Sequence, residues 1–215
     1  MKFDNEFKEA ISHLPDKEKD KLILRLLKKD LNLANRLHFE LVSTITVEER
    51  RDKMKKRIIA EAKNMGERFY SVGYLNMEIR SLSGEISEHV QITKDKIGEA
   101  SLNLLLLLEV LKYNNNNIIL GRPAKVRKLC IAIIARVFKI LILINKMHED
   151  YLLEFEENLR DLGLLIGENS HLMKFAIQHG LDVNWLIQGE IPDDIIEIHK
   201  DLKERGYLST RVIQF

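Results

Sequence analysis

Two nearly unbroken apolar stretches, Leu102–Leu111 and Leu129–Ile144, limit what this chain can fold into more than any other feature. A helix that is apolar on every side must be covered on every side. The pair therefore belongs at the centre of a helical bundle, with amphipathic helices elsewhere in the chain as its cover. Leu129–Ile144 also carries Arg136 and Lys139, and it falls short of the roughly 20 mostly uncharged residues that a membrane crossing needs. We read it as a core helix and expect no membrane association.

The rest of the sequence repeats apolar residues at three- and four-residue spacing, and no segment alternates as a strand would. Only three prolines and ten glycines interrupt 215 residues, a scarcity that long helices need. The expected fold is all-α: a bundle or array of long amphipathic helices around a central apolar helical hairpin. Residues 1–166 are expected to form the main bundle. Residues 167–215 would form short C-terminal helices, packed on the bundle or set apart as a small appendage.

Local signals set the expected boundaries. Phe3, Phe7, Ala10 and Ile11 fit a short first helix, and Pro15 restarts the chain. Leu22 to Leu41 keep one apolar stripe, as a single helix or as two divided near Asp30. Thr46 with Glu49 reads as a capping box ahead of Met54, Ile58, Ala62 and Met65. Helical character resumes after Gly73 and is expected to end at the Asn114–Asn117 run, because asparagine favours turns. Pro123 opens a helix expected to continue as far as Leu162, with Gly163 and Gly167 closing it. Asn169 or Ser170 caps a short helix that His179 and Gly180 end, and Pro192–Asp194 start the last one. Trp185 and Leu186 are expected to anchor the C-terminal segment, and the tail from Leu208 to Phe215 is expected to be partly extended.

Charge is laid out unevenly although the net charge is only +1. From Asn114 to Lys146 there are seven basic residues and no acid; from Met147 to Ser170 there are seven acids against Arg160. Such a layout implies two faces for two partners, or a basic end that neutralises an acidic segment in the same fold. Arg122, Lys125, Arg127 and Lys128 are the candidate anion- or partner-binding residues. They stand at a helix start, where cations oppose the helix dipole at a cost of roughly 0.3–1 kcal/mol each. A second basic run, Arg50 to Arg57, is diluted by Asp52. No aromatic falls within either run, so nucleic acid is possible and not favoured.

No residue is assigned a catalytic role, and no metal or cofactor is expected. Glu85, Glu88 and His89 share a helix face, but the Glu-x-x-His pattern of di-metal bundles does not occur twice. Glu85-x-x-Glu88 resembles the first half of the magnesium motif of all-α nucleotide pyrophosphatases, which would imply a magnesium-dependent hydrolase; the second half, Glu-x-x-Asp, does not follow at a helpful distance downstream. The seven histidines fall in no zinc spacing, and no phosphate-binding glycine loop is present. The lone Cys130 lies in an apolar stretch and reads as a small buried hydrophobe. One thiol, and an opening MKFDNEFKEAISHLPDKEKD without an apolar signal core, point to the cytoplasm.

Two short resemblances lie near the C-terminus. LMKFAIQHGLDVN, residues 172–184, resembles the second helix and turn of one ankyrin repeat, without the preceding Thr-Pro-Leu-His. HGLDVNWLIQGE, residues 179–190, resembles the segment closing the helix-turn-helix domain of lambda-type phage repressors, without a recognition helix ahead of it. The expected function is that of a non-catalytic protein-interaction or scaffold protein, with a protein partner or self-association. The alternatives are a nucleic-acid-associated regulator using the basic cluster and the magnesium-dependent nucleotide hydrolase.

Overall fold

The structure, a computed structural model, describes residues 3–209, the side chain of Glu149 excepted. It is all-α, with no strand among the described residues. Those in Met1–Thr46 and Gln91–Thr93 form one compact unit, and those in Val47–Val90 and Lys94–Phe215 form the other.

The first unit holds α1 (Asn5–Ser12), α2 (Asp16–Leu27) and α3 (Leu31–Val42). Asp4 caps α1 by accepting from the Phe7 N–H, and Asp30 caps α3 by accepting from the Leu33 N–H. The long apolar stripe is thus two helices, because Asp30 satisfies the orphan donors of a new start. None of the three helices has a buried side chain.

The second unit holds α4 (Val47–Glu67), α5 (Val72–Thr93) up to Val90, α6 (Lys96–Ile119), α7 (Pro123–Asn145), α8 (Leu153–Gly167), α9 (Ser170–Gln178), α10 (Asn184–Gln188) and α11 (Ile195–Glu204). The two apolar stretches lie in α6 and α7, which pack on one another. Glu99 near the start of α6 meets Lys139 late in α7 at 2.8 Å, so the pair runs antiparallel as a hairpin. Cover comes from every side: α4 and α8 pack on α6, while α9 and α11 pack on α7. Leu102, Leu106, Leu107 and Leu111 are buried, as are Ile133, Val137, Phe138 and Leu141. Leu186 is buried and Trp185 packs against the core, the anchoring expected of both.

Two boundaries depart from expectation. The Asn114–Asn117 run is helical and lies inside α6. Its side chains find partners that a turn would otherwise supply: Asn114 Nδ2 donates to the Val110 carbonyl, and Asn115 Nδ2 donates to the Leu165 carbonyl. Asn169, from beyond α8, donates to Asn115 Oδ1 at 2.6 Å. The second departure is that α7 stops at Asn145 instead of running to Leu162, with one turn of 3-10 helix at Glu149–Tyr151 before α8. No proline or glycine marks the break. It lets α8 return along α6 and bury Phe155, Leu159, Leu162 and Ile166, which a straight continuation would carry away from the core.

The remaining starts follow local chemistry. Asn169 Oδ1 accepts from the His171 and Leu172 N–H groups at the start of α9. Of the tail expected to be extended, residues 210–215 lie outside the described residues.

Candidate anion and partner-binding site

The four candidate cations occupy the start of α7, but they do not share one face. Arg122, Lys125 and Lys128 recur every three residues and are exposed. With Phe69, Ser71 and Leu120 they line an open depression of about 660 Å³, and no lining residue is acidic. Arg127 turns the other way and is half-buried. It approaches His179, whose pKa is lowered by burial and then by that neighbouring positive charge. Three of the four therefore form one site.

The turn carrying Arg122 is held from two sides. A Cβ at Gly121 would collide with the Val126 side chain, so the α6–α7 turn is built around a glycine. His171 Nε2, reaching from α9, donates to the Gly121 carbonyl at 3.1 Å. No acid stands in the first turn of α7, and no side chain caps it. Among the described residues, none of Arg122, Lys125 and Lys128 is in an ion pair. The acids Glu154, Glu156, Glu157 and Asp161 lie exposed on α8 and make no ion pair with this cluster. Asp161 instead borders a separate cleft of about 360 Å³ between α6 and α8, with Glu109 and Glu168.

The other wall of the depression lies outside the charge cluster. It comes from the turn between α4 and α5 and the start of α5, where Phe69, Ser71, Val72 and Gly73 line the depression and Arg68, Tyr70 and Tyr74 are their neighbours in the chain. Tyr70 is 83% exposed and Tyr74 45% exposed, and their rings meet edge-to-face at 6.1 Å. The signal was present locally, as three aromatics and a cation within seven residues and no acid.

The α4–α5 face brings Arg50, Lys53 and Arg57 of the second basic run beside Glu85, Glu88 and His89. Arg57 Nε and Nη2 donate to both oxygens of Glu85 at 2.5 and 2.9 Å. His89 is buried and donates from Nε2 to Asp95 Oδ2 at 3.2 Å. Arg51 grips the same carboxylate twice, at 2.6 and 2.7 Å, and the Gly98 N–H donates to it at 2.8 Å. Burial alone would raise the Asp95 pKa; His89, Arg51 and Gly98 outweigh it and hold the carboxyl well below the usual aspartate range. Asp95, absent from the sequence-level candidates, thus ties α4, α5 and the N-terminus of α6 at one point. Among the described residues no group of three or more histidine, cysteine or carboxylate side chains is placed to hold a metal ion. Cys130 is fully buried in α7, and burial pushes its thiol up to about 12.

A scan of protein-family models, a search of curated proteins and a search of solved structures each found no match to this chain. No described helix is long and apolar enough to cross a membrane.

Proposed function

We propose that this is a non-catalytic protein-interaction protein that self-associates through its N-terminal helices. The observation that carries this reading is the set of large apolar side chains that α1–α3 leave exposed. Phe7, Ile23, Leu24, Leu31, Leu41 and Val42 are all exposed there. Monomeric proteins rarely leave so much apolar surface uncovered.

The charge layout favours a second copy as the cover. Residues 3–13 carry three acids against Lys8, a net of −2, while residues 16–29 carry six cations against three acids, a net of +3. A partner copy in reversed orientation sets acidic α1 against basic α2 and buries both apolar stripes, an isologous arrangement. An anionic membrane surface would instead call for a net positive unit, and residues 3–46 carry eight cations against eight acids.

Size-exclusion chromatography with light scattering tests this. The full chain is expected at about twice its 25.1 kDa mass. Leu24→Lys and Leu41→Lys should each return it to one chain mass with an unchanged helical circular dichroism spectrum. A wild-type protein that stays at one chain mass across the accessible concentration range overturns the reading.

A further inference from the structure

The basic start of α7 gains a different meaning once it is set beside the turn between α4 and α5. Arg122, Lys125 and Lys128 form a row along one side of the helix, about 9 Å long at the α-helical rise. None is neutralised by an ion pair among the described residues, and no acid lines the depression they border. The nearest acid in the α4–α5 segment, Glu67, is taken by Lys63 at 3.7 Å. Arg68, exposed at the end of α4, adds a fourth cation without an ion pair among the described residues. Phe69, Ser71, Val72 and Gly73 line the depression opposite the cations, and the exposed Tyr70 and Tyr74 flank these lining residues in the chain, ring against ring.

A row of cations alone fits any anion. Exposed aromatic rings narrow the choice, because a solvent-facing tyrosine costs solubility and rewards a flat ligand that stacks on it. Single-stranded nucleic acid carries both halves of the match, a charged backbone and successive π faces. Duplex DNA hides its base faces, and an acidic protein segment has none to stack. We infer that Arg68, Tyr70, Tyr74, Arg122, Lys125 and Lys128 form a binding site for single-stranded nucleic acid. The cations follow the phosphates, and the exposed faces of Tyr70 and Tyr74 take bases. This site is independent of the N-terminal helices and stands or falls without them.

The test is fluorescence anisotropy of the full chain with a short labelled single strand, as RNA and as DNA, across a salt series. Binding should be saturable at low salt, and its log affinity should fall with log salt at a slope of about −0.7 for each phosphate engaged. Tyr70→Ala should weaken binding about tenfold and leave that slope unchanged, whereas Tyr70→Phe keeps the affinity. Lys125→Glu should weaken it at least about tenfold and flatten the slope. Both positions are exposed, so circular dichroism and thermal midpoint of all three variants should match the wild type. Equal affinity for duplex DNA, indifference to Tyr70→Ala, or no binding at low salt each overturns the inference. Displacement of the strand by poly-glutamate at equal charge concentration, with Tyr70→Ala silent, would reassign the site to an acidic protein segment.

Discussion

The N-terminal helices α1–α3 and the central pair α6–α7 are both built on leucine and isoleucine, yet their fates differ. The first three bury no side chain, while α6 buries 12 residues and α7 buries 11. The difference is in the arrangement of the apolar residues. A stripe on one side of a helix specifies a face and leaves open what covers it. An apolar surface on all sides leaves no such freedom, and the same chain must supply the cover. Interaction surfaces are therefore to be sought where the stripe is one-sided and uncovered.

Substitutions can break this comparison. Phe138→Ala, at a fully buried position of α7, should cost about 3–5 kcal/mol of stability in urea unfolding. Asp95→Ala comes next. It strips Arg51 and His89 of their shared acceptor and α6 of its cap, and should cost about 2–3 kcal/mol. The pH dependence has a definite sign. The folded pKa of Asp95 lies below its unfolded value, so its contribution is complete above the ordinary aspartate range near about 3.9 and drains away as the pH falls below it. In the alanine variant that acid-side loss should shrink, a difference visible in urea midpoints measured down to strongly acidic pH. Leu41→Ser, at a position 80% exposed, should change monomer stability by less than about 0.5 kcal/mol in dilute solution. A loss there as large as that of Phe138→Ala would erase the distinction between the two regions.

Legibility in the sequence followed the range of the interaction. The start of α9 was readable because a cap acts within a few residues, as Asn169 does there, and the start of α11 because Pro192 and the acids after it mark it locally. The Asn114–Asn117 run misleads, because what keeps it helical includes Leu165 and Asn169, some 50 residues further on. The end of α7 had no local mark at all; the burial of Phe155 and Leu159 against the bundle decides it. The candidate site divides in the same way. Arg122, Lys125 and Lys128 stood out as a charge cluster, but Phe69 joins them only through folding. Asp95 was hidden for the same reason, since Arg51 lies 44 residues away.

Cys130 makes the molecule its own clock. It is the only thiol in the chain, it sits at 0% exposure in the hairpin that α4, α8, α9 and α11 cover, and burial has pushed its pKa to about 12. A maleimide or disulfide reagent in the surrounding solution therefore has nothing to attack until the centre of the bundle opens. Each modified molecule records at least one such opening, with no background from a second thiol. At reagent concentrations where labelling outpaces reclosing, its rate is the rate at which the α6–α7 pair parts from its cover, and at lower ones it follows the fraction open.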